Sequence, residues 1–151
     1  TKIEQLLQSE NYEAGFELLK TINELELNET LADLIQNKVE ERYFQENSVQ
    51  KEIDKGLEIL EALLPNLTSL DLSWCDSLQN ADGLSNLTKL TSLDLTYCTS
   101  LQNVDGLANL SNLRSLNLKY SDEVQPKPSI GKMTTREEVA TYQEEIKKSM
   151  K

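Results

Sequence analysis

The chain has no histidine among its 151 residues, only two cysteines, and no run of apolar residues approaching the length of a membrane span. Without imidazole, the usual Ser-His-Asp and Cys-His arrangements are unavailable, and a histidine general base is excluded within this chain. Two cysteines are too few for a disulfide framework or a four-ligand zinc site. No window reaches the ~18 consecutive apolar residues of a transmembrane helix, and the first residues lack the basic-then-apolar layout of a signal peptide. A soluble, cytoplasmic protein is therefore expected; the chain opens on Thr1 rather than Met, so an earlier removed leader stays open. Gly-x-Gly-x-x-Gly and Gly-Lys-Ser/Thr phosphate loops are also missing, so no nucleotide cofactor is expected, no metal either, and the chain reads as non-enzymatic.

Positive charge is scarce as well. Fifteen basic side chains face 26 acidic ones, for a net charge of −11. The deficit is concentrated in residues 1–66, with six basic and fifteen acidic side chains, whereas residues 125–151 carry six and four. Such a front half repels phosphate backbones, which argues against nucleic acid as a partner and leaves basic or neutral protein surfaces. At this length one continuous core is the default.

What the chain does have is an internal repeat. Residues 67–89 (LTSLDLSWCDSLQNADGLSNLTK) and 90–112 (LTSLDLTYCTSLQNVDGLANLSN) are identical at 16 of 23 positions. A third, degraded copy runs over 113–133, keeping Leu113, Leu116 and Leu118 but replacing cysteine by Ser121 and leucine by Val124, with Ile130 and Met133 still in register. The shared skeleton, Leu-x-x-Leu-x-Leu-x-x-Cys-x-x-Leu and then Asp-Gly-Leu-x-x-Leu, resembles the leucine-rich repeat family in a short, cysteine-type version, with an overall layout similar to bacterial repeat proteins. The resemblance implies an α/β solenoid, a short parallel-stranded horseshoe, used as a protein-binding module.

The residues support that reading independently. Leu70-Asp71-Leu72, Leu93-Asp94-Leu95 and Leu116-Asn117-Leu118 alternate apolar and polar, the period of a strand, and should stack as a parallel sheet. Asp82-Gly83 and Asp105-Gly106 mark the bend, with glycine expected to take a positive φ and aspartate to cap the following helical turn. Helical periodicity precedes the repeats in four stretches: Ile3, Leu6 and Leu7; Tyr12, Phe16 and Leu19; Leu31 to Tyr43, with Asn28 or Thr30 as N-cap; and Ile53, Leu57, Leu60 and Leu64, with Ser48 as N-cap and Pro65 as the stop. After Pro126 and Pro128, Thr135-x-x-Glu138 forms a capping box ahead of a stripe of Val139, Tyr142, Ile146 and Met150. The expected division is a helical N-terminal region and cap over 1–66, repeats over 67–133, and a C-terminal capping helix over 134–151, because a repeat stack must cover its open ends.

Cys75 and Cys98 share a register one repeat apart, a spacing that permits a bridge, but parallel side chains rarely offer the required ~90° S–S torsion. The family resemblance implies an inward-facing position, so buried free thiols are expected.

The candidate site lies between the leucines. Reading across the repeats gives Ser69, Ser92 and Ser115; Asp71, Asp94 and Asn117; and Ser73, Thr96 and Lys119. Beside them stand Trp74, Tyr97 and Tyr120, an aromatic at one register in each copy. The resemblance implies that these positions face solvent on the concave side. Trp and Tyr are enriched at binding hot spots because they join a large area to a polar edge, which makes the ladder a binding surface for a peptide or protein. Two other readings stay open: cross-strand stacking that only stiffens a spacer, and sugar recognition with the rings stacked on sugar faces. Pairing of the repeated aspartates for hydrolysis is weaker, since the repeat itself dictates their spacing.

Overall fold

The computed structural model describes residues 14–17 and 29–150. Residues 14–17 are helical, and Phe16 within them is buried in the core. The rest of the first two expected helices, including Ile3, Leu6, Leu7, Tyr12 and Leu19, lies outside the described residues, as does Asn28. Two helices then precede the repeats, α1 (Glu29–Tyr43) and α2 (Gln50–Leu63). The i, i+4 recurrence of Ile35, Val39 and Tyr43 gives α1 one buried stripe, and Ile53, Leu57 and Leu60 give α2 another.

The N-terminal caps differ from expectation. Thr30 falls inside α1, and the N-cap of α2 is Val49. Ser48 is instead buried, with its hydroxyl accepting from the Gln45 amide at 3.0 Å, so it braces the loop rather than the helix. The reciprocal half of the cap survives: Glu52 accepts from the Val49 amide at 3.3 Å.

Three short strands follow at the 23-residue period, β1 (Ser69–Asp71), β2 (Ser92–Asp94) and β3 (Ser115–Asn117). They pair in parallel with Leu70, Leu93 and Leu116 in register, and those leucines point into the core. From each strand the chain runs back through Cys75, Leu78, Leu84 and Leu87, or Cys98, Leu101, Leu107 and Leu110, all buried in the same continuous core. Each such leucine contributes roughly 1.5–3 kcal/mol relative to an exposed one.

The return side forms a column of its own. The Gln102 amide donates to the Gln79 carbonyl at 3.0 Å, and the Gln125 amide to the Gln102 carbonyl at 3.0 Å. No repeat precedes Gln79, and the carboxamide of Gln50 on α2 takes that place, its Oε1 accepting from the Gln79 amide at 2.6 Å and the Asn80 amide at 3.2 Å. On the strand side, Gln36 of α1 donates to the Ser69 carbonyl at 3.0 Å, covering a backbone acceptor of edge strand β1.

At the bend, two expectations are corrected. No described glycine has a positive φ. Gly106 is required by space: a Cβ there would collide with the Ala81 carbonyl, 2.8 Å from its carbon, because consecutive turns pack backbone on backbone. The N-cap positions are Ala81 and Val104 rather than Asp82 and Asp105, and neither offers a side-chain cap; just ahead of them the side-chain oxygens of Asn80 and Asn103 accept from the Asp82 and Asp105 amides at 3.2 and 2.8 Å. The 3₁₀ turns Asp82–Leu84 and Asp105–Leu107 start from there.

The third copy leaves the pattern after Gln125. Instead of a return segment it folds back as β4 (Lys132–Met133), antiparallel to β3, which buries Met133 and leaves Ile130 exposed. Helix α3 (Arg136–Ser149) begins at Thr135, whose hydroxyl accepts from the Glu138 amide at 3.1 Å. Its buried face is Val139, Tyr142, Gln143 and Ile146; Met150 is exposed, one position past the helix. Gln143 belongs in that face because its amide group donates to the Leu107 and Leu110 carbonyls at 2.8 and 2.9 Å. Among the described residues, no helix is long and apolar enough to cross a membrane.

Candidate functional site

The polar residue at the end of each strand shapes the turn that follows. Asp71 Oδ1 accepts from the Ser73 amide at 2.8 Å, Asp94 Oδ1 from the Thr96 amide at 2.9 Å, and Asn117 Oδ1 from the Lys119 amide at 3.1 Å. The Thr96 hydroxyl donates to the same Asp94 oxygen. These are Asx turns, in which a short side chain replaces a backbone acceptor. The next residue in every case is the aromatic, and it is left-handed: φ is 66° at Trp74, 57° at Tyr97 and 65° at Tyr120. A left-handed conformation costs a residue with a Cβ roughly 1–2 kcal/mol, and here it recurs in all three copies. It was expected at glycine; the structure puts it at the aromatics. The cysteine position that follows points inward while the ring stays outside.

The three rings form one stack. Trp74 and Tyr97 lie 4.0 Å apart between centroids at 13°, and Tyr97 and Tyr120 lie 4.5 Å apart at 17°. Trp74 and Tyr120 at the two ends are 51% and 54% exposed, while the middle ring is half-buried between them. The rings therefore sit in the turns after the strands rather than on the strands. The backbone ties the turns together: the Trp74 amide donates to the Thr96 carbonyl at 2.8 Å and the Tyr97 amide to the Lys119 carbonyl at 3.0 Å.

The other candidate residues gather along the same edge. Asp71 pairs in register with Asp94, and Asp94 with Asn117. Ser69, Asp71 and Lys119 are exposed; Ser92, Ser115, Ser73 and Thr96 are half-buried. Two residues that sequence reasoning passed over join them. Glu40 of α1 has its carboxyl pushed above the usual range, first by burial and then by the charge of Asp71. Asp76, with Asp71, adds to the burial that raises the Cys75 thiol to about 12. Asp76 was detectable as a register position, since the third copy repeats it as Asp122 while the second has Thr99 there; Glu40 gave no signal, because only the packing of α1 brings it near β1.

Cys75 and Cys98 are unbridged and buried. The Cys98 thiol donates to the Leu72 carbonyl at 3.2 Å, and burial raises it to about 12. Among the described residues, no three carboxylates or thiols come together as a metal site.

The family model described as leucine-rich repeat matches residues 64–85 and 86–108. These segments are leucine-rich repeats. The matched segments start three residues before position 67 and four before position 90, where the internal repeats begin, and the match ends short of the third copy, where β4 replaces the return segment. No curated protein and no solved structure matches the chain. Leucine-rich repeat domains are generally protein-interaction modules and typically non-enzymatic.

Proposed function

We propose that this chain is a non-enzymatic binding module that holds a peptide or protein partner along the ladder of Trp74, Tyr97 and Tyr120. Asp71, Asp94 and Asn117 at the strand ends, with Ser73, Thr96 and Lys119 in the turns that follow, form its polar rim on the concave side. One observation carries the reading: the stack lines up aromatic side chains whose two ends are half-exposed, so a partner can desolvate large, already ordered groups with little entropy loss. The net charge of −11 favours a protein partner over nucleic acid. The functional division follows: residues 67–133 present the surface, residues 1–66 close one end of the horseshoe, and the helix over 134–151 closes the other. The hydrogen bonds of Gln50 and Gln143 to backbone at the two ends support that closing role.

Sugar recognition is less well supported. It requires ring faces turned outward, and the stacking turns most of them toward one another. The spacer reading survives only if the ladder has no partner.

The test is affinity purification of binding proteins with wild type beside a Trp74→Ala, Tyr97→Ala double variant, with exposed Ser85→Ala and Asn109→Ala as controls. A partner lost with the double variant and kept with the controls supports the module. A truncated hot spot costs ~2 kcal/mol or more, roughly thirtyfold in affinity. A folded double variant that keeps every partner leaves the ladder a stiffening device.

A further inference from the structure

Ile130 stands 23 residues after Leu107, in the register of a core leucine, yet it is 47% exposed, because the chain after Gln125 folds back instead of completing a repeat. Beside it a cleft of about 210 Å³ opens between residues 128–130 and α3, with Pro128, Ile130, Met133 and Tyr142 as its apolar lining. The Tyr142 hydroxyl donates to the Pro126 carbonyl at 2.6 Å, which ties the folded-back segment to the helix and fixes the cleft before anything enters it. Its volume lies below the roughly 300 Å³ at which small-molecule pockets begin, and suits one apolar side chain. The wall on α3 carries charge. Glu137, Thr141 and Glu145 line the cleft at i, i+4 and i+8, a single flank of the helix about 12 Å long. Thr141 spends its hydroxyl on the Glu137 carbonyl at 2.9 Å, and the third lining carboxylate, Glu138, accepts from the Thr134 amide at 3.0 Å. Among the described residues, Glu137 and Glu145 are in no ion pair, and no basic residue lines the cleft. The cations next in sequence lie elsewhere: Arg136 donates to Gln143 and the Leu113 carbonyl, exposed Lys132 alternates with buried Met133 on β4, and exposed Lys127 and Lys148 flank the cleft without lining it.

We propose that this cleft receives an amphipathic basic helix of a partner protein, with one aliphatic side chain seated on Ile130, Pro128 and Met133 and a basic side chain one turn to either side paired with Glu137 and Glu145. This surface is separate from the aromatic ladder and does not depend on it. The flank of α3 is uncharged at its middle, at Thr141, and acidic at both ends, so the partner it fits reads basic, apolar, basic at i, i+4 and i+8. A helix lying along α3 repeats the rise that separates Glu137 from Glu145, and so brings each charge beside its counter-charge while the middle side chain enters the cleft. Apolar insertion supplies the affinity, and the two glutamates select the sign of the partner.

The experiment titrates the whole chain, at physiological salt, into a fluorescein-labelled helical peptide with an Ala-Gln background and lysine, leucine and lysine at i, i+4 and i+8, read by anisotropy. Saturable binding is expected. Glutamate in place of both lysines should weaken it about tenfold or more, and glutamine in place of the leucine several-fold. On the protein, Ile130→Ala and the double variant Glu137→Gln, Glu145→Gln should each weaken binding about five- to tenfold. Glu144→Gln should leave it unchanged, because Glu144 lies on the other flank of α3 with Arg136 and Lys147. Circular dichroism confirms that each variant is folded, and the Ile130 methyl resonance of the isotope-labelled chain should shift as the peptide is added. Four results would overturn the proposal: no saturable binding, equal binding of the glutamate peptide, undiminished binding to either folded cleft variant, or an equal loss with Glu144→Gln, which would reduce the effect to net charge.

Discussion

The buried Ser121 hydroxyl accepts the Cys98 amide proton at 2.8 Å and donates its own to the Leu95 carbonyl at 2.6 Å. One small polar side chain thus satisfies two backbone groups in the interior of the stack. In the copy before it, Cys98 does half of this work: its thiol donates to Leu72, while the Cys75 amide turns to the Leu72 carbonyl at 3.3 Å. The serine that marked the third copy as degraded is therefore well suited to its site.

Removing that hydroxyl should be costly. Ser121→Ala orphans a buried donor and a buried acceptor, and each unmade bond costs roughly 1–3 kcal/mol. Cys98→Ser should cost less than ~1 kcal/mol, because a hydroxyl already occupies the equivalent place one repeat on. Chemical denaturation of the two variants beside wild type checks the order. Equal stability of Ser121→Ala and wild type would mean that water or a backbone shift replaces the hydroxyl.

Both thiols should resist modification until the protein opens. Burial raises Cys75 and Cys98 to about 12, against about 8.5 for an exposed thiol. The native state thus holds its protons more tightly than the unfolded chain. Stability from this source is complete below the unfolded value and declines as pH climbs from there toward about 12. Stopped-flow labelling at mildly alkaline pH should follow the global opening rate, and Cys98→Ser should show a shallower loss of stability with rising pH than wild type. Rapid labelling of both thiols in the folded protein would show that the interior admits solvent.

The strands, the buried leucines and the inward cysteines were legible in the sequence, because period-two alternation repeated at a fixed spacing leaves one self-consistent packing. The register of Trp74, Tyr97 and Tyr120 was legible for the same reason. Their left-handed backbone was not: Gly83 and Gly106 drew the expectation of positive φ, whereas an Asx turn at Asp71, Asp94 or Asn117 leads into a left-handed aromatic three residues on, and that logic depends on hydrogen bonds rather than composition. The ends were least legible. Gln50 and Gln143 read as ordinary helical polar residues, and only the missing neighbour beyond each end of the stack gives them buried or backbone-directed roles.

Glycine at the bend should be irreplaceable for reasons of volume. A Cβ on Gly106 would lie 2.8 Å from the Ala81 carbonyl carbon and 2.9 Å from the Asp82 Cα, so consecutive turns would have to separate. Gly131 offers a contrast, since the nearest atom to its Cβ is Lys119 Cγ at 3.2 Å, part of a flexible, exposed side chain. Gly106→Ala should cost on the order of 1–3 kcal/mol, in the range of overpacked cores, and Gly131→Ala close to nothing. Thermal melts would decide it. A Gly106→Ala protein as stable as wild type would mean that the stack tolerates a wider repeat spacing at this bend.

The C-terminal helix meets the second repeat through a buried polar side chain as well as through its apolar stripe. Gln143 donates to the Leu107 and Leu110 carbonyls, and its own oxygen accepts from Arg136 at 2.8 Å, while Arg136 also donates to the Leu113 carbonyl at 2.5 Å. A leucine at position 143 would keep the volume and extend the apolar stripe of Val139 and Ile146, so a purely hydrophobic account of this helix expects Gln143→Leu to be neutral or stabilising. The hydrogen-bond account expects the reverse, because each carbonyl loses one of its donors, keeping only the Leu110 amide at 3.3 Å on Leu107 and the Leu113 amide and Arg136 at 3.1 and 3.4 Å on Leu110, and Arg136 loses the Gln143 acceptor that orients it. Each hydrogen bond lost contributes a net ~0.5–1.5 kcal/mol, and the one from the charged Arg136 about 1.5–3 kcal/mol, together more than burying a few additional methylenes returns at about 0.8 kcal/mol apiece. The Tm of Gln143→Leu should therefore fall by several degrees, with Val139→Ala as the packing reference for the same helix. If Gln143→Leu melts at or above wild type while Val139→Ala melts lower, the helix is held by its apolar face, and the carbonyls at the end of the stack are content with water.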